Sequence, residues 1–189
     1  MSEPADASTG QIAAKLRALH EARAKAELVA ADALAPGSDR VAARGALMAQ
    51  VAAVKGLAGP AEASGGAALS GADGVAVAKA LEALGWAADT IFYTLSRPEA
   101  GIEPPGRADR LRLQIEAVDP AVVVALDAEA ACDLSEAFGC APLNPRHPQR
   151  VLGRRLVAVD GFEAALTDSR TKRRAWEQLK AARPEGPAY

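Results

Sequence analysis

The segment from Ala121 to Leu126 constrains the fold more than any other part of the chain, because all of its residues are apolar. A strand with one face in water alternates polar and apolar residues, whereas an unbroken apolar run of this length is typical of a strand covered on both faces. Asp119 and Pro120 end the preceding helical pattern directly before this run. The sequence therefore predicts a central strand of a parallel sheet, with helices on both sides.

Segments of strand and helix character alternate along the rest of the chain. A leading helix is predicted from Ser8 to Ala31, where Ile12, Leu16 and Leu19 fall at helical spacing. The remaining elements are predicted as a strand at 46–54, a helix ending at 84–86, a strand at 90–95, a helix at 108–118, a strand at 121–126, a helix at 128–138, a strand at 155–159 and a helix at 169–182. Such alternation predicts an α/β fold whose ligands bind beyond the carboxyl ends of the strands.

Cysteine usage and apolar patterning narrow the classes of function. The chain has two cysteines, Cys132 and Cys140, whose spacing suits neither a zinc knuckle nor a redox pair, and no carboxylate cluster indicates a metal. The first thirty residues carry charges among the alanines, and no apolar stretch has the length of a membrane span. We therefore expect a cytoplasmic protein without metal, cofactor or membrane contact.

Basic residues are concentrated in the last quarter of the chain. The segment from Arg146 to Arg183 has ten basic and four acidic residues, whereas the whole chain has a net charge of -2. The rest of the chain is therefore acidic and repels a polyanion, so any contact with nucleic acid should be confined to the basic segment. The candidates for phosphate contact lie at the start of the last predicted helix and are Arg170, Lys172, Arg173 and Arg174. Basic charge there opposes the helix dipole, a cost that a bound anion relieves.

A glycine-rich segment follows the first predicted strand. It begins as Gly56-Leu57-Ala58-Gly59-Pro60, passes through Gly65-Gly66, and closes at Gly71-Ala72-Asp73-Gly74 just before a helix. Glycines permit a close backbone approach, and a helix N-terminus presents free N–H groups, so one hypothesis is a pocket here. The alternative is an ordinary surface loop. The spacing matches neither a P-loop nor a dinucleotide-binding motif.

The order of these parts resembles the uracil-DNA glycosylase superfamily, nearest its family 4 branch, from about Val41 to Lys180. The matching parts are the glycine-rich loop at 66–74, Arg97-Pro98 after the second strand, the run at 119–126 and the segment Lys172-Arg173-Arg174-Ala175-Trp176-Glu177-Gln178-Leu179. The resemblance implies a three-layer α/β/α fold with a four-stranded parallel sheet and a leading N-terminal helix. It divides the chain into a tail, helix and linker at 1–40, a glycosylase-like domain at 41–183 and a tail at 184–189.

The residues that would carry the family's chemistry are missing. Leu57 stands where the resemblance expects an acid, Leu69 stands near the position of a base-stacking phenylalanine, and Gly161 stands where a histidine is expected. Two cysteines cannot supply the four ligands of the family 4 iron–sulfur cluster. No catalytic residue is therefore assigned. The candidates for a base pocket are Gly56, Leu57, Gly59, Leu69, Tyr93 and Gly161.

The expected function is that of a degenerate uracil-DNA-glycosylase-like protein, which binds nucleic acid or a nucleotide without excising a base. One alternative is an active glycosylase in which Glu62 and His147 replace the missing acid and histidine. Another is a protein-interaction module whose leading helix, Ser8 to Ala31, docks on a partner. DNA and a protein are thus the two partner classes that the sequence predicts.

Overall fold

A computed structural model of the chain describes residues 5–34, 40–98 and 106–185. The strands are β1 (Arg44–Gly45), β2 (Val51–Leu57), β3 (Ile91–Arg97), β4 (Val122–Ala125), β5 (Gln149–Val151) and β6 (Arg154–Ala158). The helices are α1 (Ala5–Ala33), α2 (Pro60–Ala63), α3 (Ala72–Ala83), α4 (Gly106–Val118), α5 (Ala128–Phe138) and α6 (Ser169–Leu179). Each predicted strand and helix has a counterpart here.

The strands form one mixed sheet in the order β1-β3-β2-β4-β6-β5. The four central strands are parallel, with Ala53 of β2 opposite Tyr93 of β3 and Val124 of β4. The short strands β1 and β5 pair antiparallel at the two edges. The α/β class is confirmed, but the predicted total of four strands is wrong for the described residues. Strands of two and three residues carry no periodicity, so their pairing depends on a sheet edge that is already formed.

The two central strands are buried along their length because helices cover both faces of the sheet. Residues 51–54 of β2 and 123–125 of β4 have no exposed surface. On one face they pack against Val77 and Leu81 of α3 and Leu179 of α6. On the other face they pack against an apolar set from α4 and α5 that includes Leu111, Ile115 and Leu134. The unbroken apolar run of β4 is explained by these two cores.

The leading helix α1 packs on α4 through a buried polar network. Asp32 Oδ1 accepts a hydrogen bond from Arg110 Nε at 3.2 Å and one from Gln114 Nε2 at 3.1 Å. The Gln114 side chain also accepts a hydrogen bond from the Thr94 hydroxyl of β3 at 2.7 Å. These hydrogen bonds connect α1 to the sheet through the buried side chains of Arg110 and Gln114 on α4. The helix α1 therefore forms an outer layer on the face of the sheet that α4 covers.

The predicted ends of the elements agree with the structure to within a few residues, apart from the first strand. That strand begins at Val51, whereas the apolar pattern placed its start at Ala46. Residues 46–50 instead form the connection from β1, in which Gln50 N donates a hydrogen bond to the Thr90 carbonyl. The predicted linker at 35–39 and most of the predicted tail at 184–189 lie outside the described residues.

We expect Asp32→Ala to lower the free energy of unfolding by about 2–3 kcal/mol, because it removes the carboxylate that pairs with the buried Arg110. Partial exposure of Asp32 keeps this value below that of a fully buried pair. Urea unfolding followed by circular dichroism measures the difference.

The control is Lys25→Ala, which removes an exposed charge from the same helix and should change the stability by less than about 0.5 kcal/mol. Equal unfolding midpoints for the two variants would show that Asp32 does not anchor α1.

Candidate functional site

A cleft of about 360 Å³ lies at the carboxyl ends of β2, β4 and β6. The segments that follow these three strands form its walls, as the parallel topology requires. Its lining residues are Lys55, Leu57, Ala58, Gly59, Pro60, Leu69, Asp73, Leu126, Asp127, Glu129, Gly161, Phe162 and Glu163. A cleft of this volume falls within the range of small-molecule sites.

The structure brings together four of the six base-pocket candidates. Leu57, Gly59, Leu69 and Gly161 all line the cleft, and Gly161, which follows β6, is far from the other three in the sequence. Tyr93 is not among the lining residues. Its buried ring lies in the core below, with the Arg44 guanidinium 4.0 Å from the ring centroid.

Gly56 serves the packing behind the cleft instead of lining it. A Cβ added at this position would lie 2.5 Å from Glu129 Cβ and 2.8 Å from Asp127 Oδ1. Its N–H donates a hydrogen bond to Asp127 Oδ2 at 2.8 Å. Glycine is therefore required because the end of β2 runs directly against the start of α5.

The floor of the cleft holds a buried lysine with two carboxylate partners. Lys55 Nζ lies 2.6 Å from Asp73 Oδ2 and 3.1 Å from Glu163 Oε2. Lys55 and Asp73 are almost fully buried, whereas Glu163 is more than half exposed. Burial acts to lower the pKa of Lys55, but the two hydrogen-bonded carboxylates outweigh it and raise the pKa above its ordinary value. The ammonium is therefore charged at neutral pH and cannot act as a nucleophile.

Asp127 joins the ends of two neighbouring strands. It follows the buried strand β4 and caps α5, where its Oδ1 accepts the Ala130 N–H at 2.7 Å. Its second oxygen accepts the Gly56 N–H at the end of β2. Burial raises the pKa of this carboxyl, and the two backbone N–H groups act in the opposite direction. Asp127 thus holds one wall of the cleft in place.

The opposite wall contains a strained residue, Leu69, whose φ is 54°. Its N–H donates to Glu62 Oε1 at 2.7 Å, and its carbonyl accepts a short hydrogen bond from Arg44. A Cβ on Gly74 would lie 1.6 Å from the Leu69 carbonyl oxygen. The left-handed conformation of Leu69 is therefore imposed by three contacts from different parts of the chain.

The proposed replacements Glu62 and His147 do not meet in the cleft. Glu62 is buried, and its second oxygen accepts the Gly59 N–H at 2.9 Å, so the side chain fixes the glycine-rich loop. It is neither a solvated carboxylate nor a group aimed at a ligand. His147 is exposed in the turn that it forms with Asn144 and does not line the cleft.

The charge of the cleft disfavours phosphate. The carboxylates of Asp73, Asp127, Glu129 and Glu163 face one ammonium group, that of Lys55. An anion entering the cleft would meet a net negative potential. Within the described ranges, no group of three or more histidine, cysteine, aspartate or glutamate side chains is arranged to hold a metal ion.

The four candidate phosphate contacts lie together at the start of α6. Arg170, Lys172, Arg173 and Arg174 are all exposed, and Arg174 Nε lies 3.9 Å from Asp160. Asp168 caps this helix by accepting the Thr171 N–H at 2.6 Å. Hydrogen bonds from Thr171 hold the pKa of Asp168 below its ordinary value.

Sequence reasoning missed Lys55 and Asp127 as parts of this site. Each had a local signal, because Lys55 is the first charged residue after the apolar run at 51–54 and Asp127 stands between a strand and a helix. A charge at the carboxyl end of a buried parallel strand lies at the binding edge of the sheet. The partners of Lys55, however, come from residues 18 and 108 positions away and could not be identified.

Comparison with known proteins finds no matching protein-family model and no significantly similar curated protein. The structural class of the chain is therefore defined by its fold and its cleft. The chain is an α/β protein with a mostly parallel sheet and a ligand-sized cleft at the carboxyl ends of its strands. Among the residues described, no helix combines the length and apolar character needed to cross a membrane.

We expect Lys55→Met to destabilise the protein by about 3–5 kcal/mol, because it leaves the buried Asp73 carboxylate without its partner. The double variant Lys55→Met/Asp73→Asn should regain most of this loss, since neither side chain is then charged. Because the pKa of Lys55 is raised in the folded state, its contribution is complete below the unfolded pKa of 10.5 and is lost as the pH rises through the folded value. Urea unfolding from neutral to alkaline pH measures these differences.

Glu163→Gln provides the control within the same cluster. Its carboxylate is mostly exposed, so the substitution should cost less than about 1 kcal/mol. Destabilisation of the double variant by as much as the single Lys55 variant would contradict the pairing.

Proposed function

We propose that this chain is a uracil-DNA-glycosylase-like protein that binds nucleic acid without excising a base. The observation that carries the proposal is the meeting of Leu57, Leu69 and Gly161 in one cleft at the strand ends. By the resemblance, these positions correspond to an acid, a stacking aromatic and a histidine. Their coincidence in space supports a common scaffold, and their side chains lack the groups that the reaction needs.

Base excision needs a group that activates water or stabilises charge on the sugar, and another that stabilises the departing base. Leu57 has a half-exposed side chain at the cleft but no proton acceptor, and Gly161 has no side chain. The carboxylates nearby have structural partners, since the buried Asp73 is bound by Lys55 and the half-buried Asp127 by two backbone N–H groups. The cleft thus retains the shape of a site without its acid–base pair.

The contact with nucleic acid is assigned to the basic start of α6. Phosphates favour this surface because its four cations are exposed, whereas the cleft itself is acidic. Phe162 lines the cleft and also the surface beside α6, so the two regions are adjacent. A nucleic-acid strand whose phosphates contact the start of α6 would place an uncharged base, and not a phosphate, next to the cleft.

A cytoplasmic location accords with this proposal. Cys132 and Cys140 are both free thiols. Reduced cysteines are the rule in the reducing compartments where nucleic acids are repaired and copied.

A second candidate function, protein interaction through α1, is favoured by one observation. Ile12, Leu16 and Leu19 are more than half exposed on the part of α1 that precedes its buried contacts. Apolar residues at this helical spacing form a stripe that a partner helix can cover. The stripe lies on the α4 side of the molecule, away from α6.

The first test titrates the protein into fluorescein-labelled single-stranded DNA carrying one uracil, at about 50 mM and 200 mM salt. We expect micromolar binding by fluorescence anisotropy that weakens steeply with salt. The variant Arg170→Gln/Arg173→Gln/Arg174→Gln should bind at least about tenfold more weakly and show a shallower salt dependence, because it loses three phosphate contacts.

A control variant, Arg17→Gln/Arg23→Gln/Arg112→Gln, removes the same charge from α1 and α4 and should bind as the wild type does. Equal weakening in both variants would assign the binding to net charge alone. Absence of binding at the lower salt would refute the nucleic-acid proposal and leave the α1 candidate.

We also expect no uracil release by the wild type or by Leu57→Glu. The substitution restores a carboxylate at the cleft, but no histidine stands at Gly161 to stabilise the departing base. Alkaline cleavage of the labelled DNA after incubation detects excised sites, and a known glycosylase serves as the positive control. Product formed by either protein would overturn the assignment of a degenerate site.

A further inference from the structure

A second concave surface lies between α3 and α6, with a volume of about 390 Å³. We call it the α3–α6 groove, and it is lined by Ala76 and Ala80 of α3, by Lys172, Arg173 and Trp176 of α6, and by apolar residues of the segment between β6 and α6. No acidic residue is among the lining residues. The groove differs from the cleft at the strand ends, which is lined by four carboxylates.

Small residues on facing helices create the depth of this groove. Ala76 and Ala80 are one turn apart on α3, and Ala175 faces the core from α6. Larger side chains stand at its borders, where Trp176 is half-buried and Leu166 is 40 % exposed. The fold therefore leaves a trough of apolar surface open to solvent, and such surfaces are typical of interaction sites.

Two cations stand at the border of this apolar surface. Lys172 and Arg173 line the groove and are exposed, and across the part of the chain that the structure describes no carboxylate lies within 4.0 Å of either. The other two basic residues of the helix start, Arg170 and Arg174, do not line it. Apolar floor and cationic border thus occur together on one side of α6.

We propose that the α3–α6 groove binds an amphipathic acidic peptide segment of a partner protein. An aliphatic or aromatic side chain of the peptide would fill the trough between Ala80 and Trp176. Its flanking carboxylates would pair with Lys172 and Arg173. This is the helix-in-groove mode of recognition, with charge at the border setting the choice of partner.

The chemistry of the lining favours a peptide over the alternatives. A nucleobase carries polar edges, and the apolar floor offers them no hydrogen-bond partner. A symmetric contact through the groove would bury the Lys172 and Arg173 side chains of both copies in one interface, where the groove lining supplies no carboxylate, and the repulsion between like charges opposes dimerisation. An acidic peptide satisfies both the apolar floor and the cationic border.

The test selects binders to the full-length chain from a phage-displayed library of random peptides of about 12 residues, long enough for three helical turns. We expect the enriched sequences to contain a hydrophobic residue flanked by aspartate or glutamate. The most enriched sequence, synthesised with a fluorescein label, then serves as the probe in anisotropy titrations.

Four variants locate the bound peptide. Ala80→Gln fills the trough with a polar side chain, and Lys172→Glu and Arg173→Glu reverse the charge of the border. Each should weaken peptide binding by about tenfold or more, which corresponds to about 1.4 kcal/mol. The matched control Ala83→Gln, at an exposed position of the same helix, should bind as the wild type does. Thermal melts confirm that all four variants are folded.

The outcomes separate this inference from the nucleic-acid proposal. Ala80→Gln should leave DNA binding unchanged, because the groove floor makes no phosphate contact. Recovery of no binding peptide, enrichment without acidic residues, or equal binding by Ala80→Gln would each overturn the inference. Loss of DNA binding in Ala80→Gln would assign the groove to nucleic acid instead.

Discussion

Burial of β2 and β4 on both faces is the constraint on which the other features of this protein depend. Residues 51–54 and 123–125 are fully covered, so helices must lie on both sides of the sheet. Polar side chains are excluded from these covered residues and first occur near the carboxyl ends of the strands, at Lys55 within β2 and at Asp127 after β4. The position of the cleft follows from the same constraint, because the carboxyl ends of the parallel strands meet at one edge.

The charged residues at that edge of the sheet hold the walls of the cleft in position. Lys55 and Asp73 hold β2 against α3, Asp127 holds β2 against α5, and Glu62 fixes the glycine-rich loop. Each buried polar group is thereby satisfied by a partner from another segment, which keeps the walls in one arrangement. Under the proposed function, Leu57 and Gly161 stand where reactive groups have been replaced, and a cleft supported in this way can persist after such a replacement.

The helix α6 carries two surfaces, and the two proposals assign a different partner to each. Arg170 and Arg174 lie outside the groove, whereas Lys172 and Arg173 border it. By the two proposals together, a nucleic acid and an acidic peptide compete for Lys172 and Arg173. A peptide bound in the groove would then weaken the binding of nucleic acid to α6, because the carboxylates of the peptide neutralise charges that also bind phosphates.

Local patterns suffice to predict the class of fold, because apolar runs, helical spacing and the Asp168 cap are each satisfied within a single segment. The sequence also placed Leu57, Leu69 and Gly161 among the candidates that line the cleft. The edge strands, the partners of Lys55, the burial of Glu62 and the groove beside Trp176 arise from the way the segments pack together. These features depend on contacts between segments distant in sequence, and no local pattern records which distant side chain fills or leaves a space.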